Sequence, residues 1–306
     1  MDRDIHTERL RRAAQSLQGL SCGDAFGERF FLPDEIVASF IQQRATPAPP
    51  WFFTDDTVMA LSILETLAEH NEINPDSLAR SFAARYDPGR GYGRAMHGLL
   101  ATIRRQHEAW RTEPARLFDG EGSYGNGSAM RVAPLGAYFA DAPERIVEQA
   151  RLSSLPTHTH AEAVAGAIAV AVASSVAWRM KASGRPPDRQ EFLQQVYQDT
   201  PESYVRRGIR NAMELPPDSS VETAVARLGN GSALTAPDTV PFALWCAARH
   251  LSSYEEALWT AVSGLGDRDT TCAMVGGIVV MYSGVEAIPA EWLECREEIP
   301  GWVTSF

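Results

Sequence analysis

The residues best suited to chemistry sit in two acidic stretches about two hundred positions apart, Thr54-Asp55-Asp56-Thr57 and Asp267-Arg268-Asp269-Thr270-Thr271. Each opens an apolar run free of proline, Val58 to Ala68 in the first case and Cys272 to Met281 in the second. One acid or hydroxyl at a helix start is explained by capping: it accepts a hydrogen bond from a free N–H group and complements the helix dipole. Both stretches carry more oxygen than a cap requires. Paired carboxylates flanked by hydroxyls suit hard cations such as Mg²⁺. If the two helix starts meet in space, four carboxylates converge. Like charges that close raise one another's pKa values or are neutralised, and divalent cations do this readily. Two unrelated caps remain the competing reading.

Other stretches offer weaker signals. Gly125-Asn126-Gly127-Ser128 has the makings of a phosphate cradle built from backbone N–H groups, although such loops also serve simply to turn the chain. No Gly-Lys-Ser/Thr ending follows, so it is not a P-loop, and no strand precedes it, so it is not a dinucleotide fingerprint. His158 and His160 precede a long Ala-rich run. With no other His or Cys arranged around them they do not make a zinc site; each reads as a substrate contact or as an ordinary capping or surface histidine. Arg131 and Arg268 are candidates for phosphate or carboxylate contact, with charge balance between Asp267 and Asp269 as the alternative for Arg268. Asp24 is an acid in an apolar setting, between Gly23 and Gly27, two residues that let another backbone approach closely.

The elements that must position these residues read as helices. Periodicity and breakers predict helices over 8–20, 34–43, 55–70, 76–86, 94–111, 142–153, 161–181, 190–200, 203–215, 220–228, 239–250 and 253–262, with 21–27 either continuing or ending the first. No period-2 strand of useful length and no regular repeat appears. None of the loops looks like an interdomain linker. If the acidic stretches form one site, the chain between them folds as one body, so residues 1–306 are expected to form a single all-α domain. A hydrophobic content of 44% supports a sizeable core. The formal net charge of −11 argues against nonspecific binding to nucleic acid or anionic membrane, but not against an anionic small ligand. Cys22, Cys246, Cys272 and Cys295 show no clip spacing and read as reduced thiols of a cytoplasmic protein. The charged N-terminus does not resemble a signal peptide. The Ala-rich stretch from Ala163 to Trp178 falls short of the roughly 20 residues a spanning helix needs.

Taken together, Gly23-Asp24-Ala25-Phe26-Gly27, Thr54-Asp55-Asp56-Thr57, Gly125 to Arg131, Thr157-His158, Thr239 to Leu244 and Gly266 to Thr270 resemble the motifs of the ADP-ribosylglycohydrolase family, in order and spacing, over about Leu17 to Ser283. The resemblance implies a compact all-α bundle with a central dinuclear site for two divalent cations, Mg²⁺ first and Mn²⁺ as the alternative. It implies Thr54, Asp55, Asp56, Asp267, Asp269 and Thr270 as metal ligands, with Asp269 as the bridge. Asp24, Gly125, Asn126, Gly127, Ser128, Met130, Arg131 and His158 become substrate contacts. The implied reaction is hydrolysis at C1″ of ADP-ribose joined to a protein side chain or small conjugate, with nucleic-acid acceptors left open, by a monomer. Two departures stand out. Arg268 occupies the middle of the family's Asp-(Thr/Ser/Cys)-Asp. Phe31 occupies a position where many members carry an acid, which leaves Glu28, with Asp55 and Asp56, as the candidate catalytic acids. A noncatalytic ADP-ribose binder or crystallin-like structural member is the alternative from another class, and a helical Mg²⁺-dependent enzyme of diphosphates a third.

Overall fold

The computed structural model describes residues 2–306; Met1, the first residue of the charged N-terminal stretch, lies outside them. Among the described residues there are sixteen α-helices and no β-strand. The first five are α1 (Asp2–Glu28), α2 (Asp34–Gln43), α3 (Asp55–His70), α4 (Pro75–Arg85) and α5 (Arg94–Arg105). Short α6 (Glu113–Arg116) and α7 (Ala133–Tyr138) lead to α8 (Ile146–Ser154), α9 (Ala161–Ala182), α10 (Arg189–Asp199) and α11 (Tyr204–Glu214). The chain ends with α12 (Val221–Leu228), α13 (Ala236–Arg249), α14 (Tyr254–Val262), α15 (Arg268–Ser283) and α16 (Ala290–Cys295).

Local chemistry explains most of the boundaries. Thr54 caps α3 through a side-chain oxygen that accepts the Asp56 N–H, and Asn71 ends that helix in a left-handed conformation. Asn74 caps α4 by accepting from Asp76 and Ser77, with Pro75 in the first turn. Three expectations shift. The helix expected over 94–111 stops at Arg105, because Gln106 turns extended before a 3₁₀ turn at His107–Arg111. The helix expected from 142 opens with a 3₁₀ turn at Pro143–Arg145. α13 starts three residues before the expected Thr239, with Pro237 tolerated in its first turn, and continues through Pro241.

One contiguous apolar core fills the bundle. α9 runs through it with sixteen of its 22 residues buried. At 22 residues it is long and apolar enough to cross a membrane by length and composition, more than the sequence reading allowed. Its alanines instead admit neighbouring helices: a methyl on Gly136 of α7 would sit 1.9 Å from the Ala171 carbonyl oxygen.

The pairing that matters most for the site is α1 against α15. α1 does not end at Ser21 but continues through Gly23 and Gly27. Gly19, Gly23 and Gly27 recur every four residues and so share one face. A methyl on each would lie 2.4, 2.2 and 2.2 Å from the carbonyl oxygens of Gly276, Cys272 and Arg268. The helices therefore run antiparallel in near backbone contact, and the end of α1 meets the start of α15. On the other side of α1, Phe26 stacks on Trp292 at 4.4 Å between ring centroids and packs edge-on against Trp51 and Trp259. This aromatic cluster ties the C-terminal segment to the strap that enters α3.

Candidate active site and metal centre

The strap before α3 is clamped on both sides. The Trp51 N–H donates to the Cys295 carbonyl at 2.7 Å, and the Trp51 carbonyl accepts from the Glu297 N–H at 2.9 Å. The Glu297 carboxylate accepts from the Phe53 N–H at 2.8 Å and pairs with Arg90. Arg90 in turn donates to the Phe53 carbonyl at 2.8 Å, and its own carbonyl accepts the Asp55 N–H at 2.7 Å. Behind the strap stands Asp24, completely buried in α1. It accepts from the N–H groups of Thr54 and Thr57 (3.0 and 3.1 Å) and from both hydroxyls (2.9 and 2.5 Å). Burial raises its pKa to about 6, and these four donors work against the rise. The strap and Asp24 between them set where Asp55 and Asp56 point.

The start of α15 is placed by other means. The Asp267 side chain makes no capping bond to its own helix. Its N–H donates to the Asn230 carbonyl at 3.1 Å. Gly231, at φ +90°, leaves room for it; a methyl there would lie 2.5 Å from the Asp267 Cβ. Asp267 Oδ2 accepts from Asn126 Nδ2 at 2.7 Å, and the same amide donates to Thr239 Oγ1 at 3.0 Å. Asn126 thus joins the Gly-rich loop to the acidic helix start.

The two starts meet. Asp55, Asp56, Asp267 and Asp269 line one cleft. Burial is the largest cause raising each pKa; repulsion among the acids adds to it at Asp55, Asp56 and Asp267, and the charges of Asp24 and Glu28 add to it at Asp269. Asp55 and Asp56 are pushed well above the carboxylate range, and Asp267 and Asp269 to about 7. Two buried oxygens, Asp56 Oδ1 and Asp269 Oδ1, accept no hydrogen bond. An ionised oxygen buried without a donor is costly. One such oxygen from each helix start, in an all-oxygen setting of carboxylates and threonines, fits hard divalent cations. The chain therefore carries an acidic cluster able to hold metal. A separate group, Asp76, His107 and Glu108, also brings three ligand atoms within 4.8 Å of one another. There Asp76 already accepts from Trp110 and Arg111, so its oxygens are occupied.

The cleft encloses about 820 Å³, the size of a nucleotide-class ligand site. The uncapped N-terminus of α5 and the Gly125–Gly127 loop line the same cleft. Phe118 and Leu234 stand at its mouth, 59% and 57% exposed, both with left-handed backbone (φ 53° and 55°). Exposed apolar side chains held in a disfavoured conformation beside a cleft are a mark of function rather than of folding. His158 lines the same wall, its ring packed against Gly127, where a methyl would lie 2.9 Å from Cε1. Burial, and then Arg131, lower its pKa to about 3, so the ring is neutral.

The sequence-derived candidates divide into two groups. Asp55, Asp56, Asp267, Asp269, Thr270, Gly125, Asn126, Gly127, Met130 and His158 border the cleft. Thr54 is the buried cap directly behind it. Four others do not line the cleft. Asp24 organises the α3 start from the core. Ser128 is buried and donates to the Ala163 carbonyl at 3.0 Å. Arg131 is buried completely, with Nη2 donating to the Ser153 carbonyl (3.0 Å) and Thr157 Oγ1 (2.8 Å) and its guanidinium over the Phe82 ring. Glu28 is exposed at the end of α1 and outside the cleft lining, near enough for Asp267 to raise its pKa further after burial has done so. Each was named from its motif, and motif membership does not say on which side of a helix a side chain points. His160 proves an ordinary cap, accepting the Glu162 N–H at 3.1 Å. Sequence reasoning missed Arg94, Phe118 and Leu234. The available signal for Arg94 was a basic residue opening a helix directly after Gly91-Tyr92-Gly93, with no capping side chain.

The chain is thus an all-α bundle whose helix starts deliver carboxylates to a deep cleft that a Gly-rich loop also lines. The chain belongs to the ADP-ribosylglycohydrolase family, whose model matches residues 5–306. It is similar to ADP-ribosylhydrolase ARH3 from Bos taurus, at 32% identity over 94% of this chain and 89% of that protein. The Homo sapiens ARH3 is 29% identical over 94% and 90%. ADP-ribosylarginine hydrolase Tri1 from Pseudomonas putida is 27% identical over 93% and 74%. A solved structure, described as an ADP-ribosylglycohydrolase-related protein complex, superimposes with a TM-score of 0.67 at 26% identity, covering 95% of this chain and 94% of its own. The protein is an ADP-ribosyl hydrolase.

Proposed function

We propose that the protein is a metal-dependent hydrolase of one domain that cleaves the C1″ glycosidic bond between ADP-ribose and a protein side chain or small acceptor. Two divalent cations, Mg²⁺ or Mn²⁺, would be held by Thr54, Asp55 and Asp56 at the start of α3 and by Asp267, Asp269 and Thr270 at the start of α15. The observation that carries this reading is the pair of buried, donorless carboxylate oxygens, Asp56 Oδ1 and Asp269 Oδ1, one from each start. Bound there, the cations supply positive charge and Lewis acidity to the oxygens placed against them.

The chain's own residues do the rest. Gly125 N–H donates to Ser123 Oγ at 3.3 Å and Asn126 N–H to the Leu234 carbonyl at 3.2 Å, so it is the Gly127 end of the loop, with the uncapped α5 start, that presents partial positive charge to a diphosphate. Arg94, the first residue of α5, adds a full charge on the same wall. Asp55 or Asp56, ionised when the cations are bound, accepts a proton from the attacking water. Carboxylate charge near C1″ favours the oxocarbenium-like transition state.

The test is a linkage panel. Serine-linked and arginine-linked ADP-ribosyl proteins are incubated with the enzyme in Mg²⁺ and in EDTA. Mg²⁺-dependent release of ADP-ribose from at least one linkage is the expected result. Release unaffected by chelation would remove the metal from the reading, and ADP-ribose bound tightly with no turnover of any linkage would point to a binding module.

A further inference from the structure

Arg131 is a buried cation that the reaction does not use, and it reaches the cleft only through other residues. Its Nη2 donates to Thr157 Oγ1 at 2.8 Å, and Thr157 Oγ1 lies 2.7 Å from His158 Nδ1. A threonine hydroxyl has one proton and two lone pairs, and a guanidinium only donates. One lone pair is therefore taken by Arg131. The hydroxyl proton has two possible acceptors, the Ser154 carbonyl at 3.5 Å and His158 Nδ1 at 2.7 Å. The Ser154 carbonyl already accepts two N–H groups, from Thr157 at 3.0 Å and from His158 at 2.8 Å, which fill its lone pairs. The proton goes to Nδ1. A neutral imidazole that accepts at Nδ1 carries its own proton on Nε2.

The Nε2 edge faces the Gly-rich loop. Methyls built on Gly125 and Gly127 would lie 3.4 and 3.0 Å from it. Glycine at both positions lets the ring edge reach the cleft space that the Gly125–Gly127 backbone lines. We propose that Arg131 and Thr157 are positioning residues that hold His158 in its Nε2–H form, a fixed hydrogen-bond donor to the phosphate or ribose oxygen cradled by Gly125–Gly127. The inference rests on reading the cleft as an ADP-ribose site. Arg131 suits the task because it stays a donor at any working pH, so it never competes for the Thr157 proton. Its anchors, the Ser153 carbonyl and the Phe82 ring, keep it from following the ligand. Burial, with Arg131 adding to it, disfavours a second proton on the ring, so His158 stays uncharged near neutral pH.

The experiment uses the full chain with ¹⁵N-labelled histidine. Imidazole ¹⁵N spectra of ligand-free wild type, Thr157→Val and Thr157→Ser report the His158 tautomer, and calorimetry with ADP-ribose in Mg²⁺ reports affinity. Wild type should show a protonated Nε2 and a bare Nδ1. Thr157→Val, equal in shape but without the hydroxyl, should shift the ring toward the Nδ1–H tautomer and bind ADP-ribose about tenfold more weakly, as expected when the competent Nε2–H form falls to roughly a tenth of the population. Thr157→Ser should restore both. A wild-type Nδ1–H tautomer, or a Thr157→Val protein with unchanged affinity, would overturn the proposal. The tautomer is read without ligand, so it stands apart from the catalytic reading, which fails separately if wild type releases no ADP-ribose in the linkage panel.

Discussion

The two helix starts that supply the carboxylates are built on opposite principles. The α3 start is held by charge and hydrogen bonds: Asp24 gathers four donors from Thr54 and Thr57, and the Arg90–Glu297 pair grips the strap in front. The α15 start is held by shape: Gly27 and Gly231 bring backbone against it where no side chain would fit. Only Asn126 reaches Asp267 from the loop side with a side-chain amide. A cation site made of two such halves has one half that responds to charge and one that responds to volume. Both halves nonetheless end in the same feature, a buried carboxylate oxygen with no donor.

That shared feature gives the largest predicted effect. Asp56→Ala and Asp269→Ala should each lower turnover at least about a thousandfold, roughly 4 kcal/mol of transition-state stabilisation, and abolish Mg²⁺ binding by calorimetry. Metal-free stability should stay equal or rise, because each substitution relieves repulsion among the four acids. A residue acting only as a cap would instead lose about 0.5–2 kcal/mol with or without metal. Thermal unfolding in EDTA and in Mg²⁺ separates the two outcomes.

The same repulsion sets a pH dependence. Asp267 and Asp269 have folded pKa values of about 7 without metal, above the unfolded value. For a carboxyl with a raised folded pKa, the stabilisation is present in full below the unfolded pKa of about 3.9 and is lost as pH rises toward the folded one. Metal-free protein should therefore lose stability from about pH 4 to about pH 7, at up to roughly 1.4 kcal/mol per pH unit for each group. Excess Mg²⁺, which binds the ionised form of the native state, should flatten or reverse the slope. A metal-free Tm that rises over that interval would show that the carboxylates are not pressed together.

Gly27→Ala tests the half built on shape. Its methyl would meet the Arg268 carbonyl at 2.2 Å, so α1 and α15 must separate locally. Overpacking of this kind costs about 1–3 kcal/mol, seen in chemical denaturation, and should weaken Mg²⁺ binding by displacing Asp269 from its partners on α3. Unchanged denaturation and metal affinity would mean that the close approach is not what places the α15 ligands.

The contrast also explains what could be read from sequence. The α3 start was legible because its determinants are local: Thr54 caps a helix that begins one residue later, and the surplus acid stands beside it. The convergence of Asp55 and Asp56 with Asp267 and Asp269 followed from the oddity that two distant helix starts each had an acid to spare. The directions of single side chains did not follow. Arg131 sits one residue from Met130, which lines the cleft, yet points into the core toward Phe82 and Thr157. Phe118 and Leu234 gave no signal, because nothing in a one-dimensional pattern marks an apolar residue destined for a left-handed turn at a cleft mouth. Glu28 was chosen as the nearest acid to a position occupied by Phe31. Nearness in sequence at a helix end does not fix a direction, and the chain leaves α1 there.

Phe31 and Arg268, the two departures from the family pattern, turn out to be neighbours. The Arg268 guanidinium lies 5.1 Å over the Phe31 ring, and neither residue lines the cleft. Arg268 is 8% exposed, so its charge is spent inside the protein rather than offered to substrate. Its direction also follows from its place: alternate residues at a helix entrance diverge, and Asp267 and Asp269 take the cleft side. Replacing it with threonine, as in the usual motif, removes a cation–π contact worth about 0.5–1 kcal/mol at a partly exposed ring and leaves the carboxylates where they are. Arg268→Thr should therefore retain Mg²⁺ binding, change ADP-ribose affinity little, and be neutral toward an arginine-linked substrate, since its charge does not face the cleft. It is the smallest effect expected of any change at either helix start. If instead kcat/KM falls more than about tenfold, or roughly 1.4 kcal/mol, Arg268 acts on the transition state. The α15 start would then depend on charge as the α3 start does, and the division between the two halves would not hold.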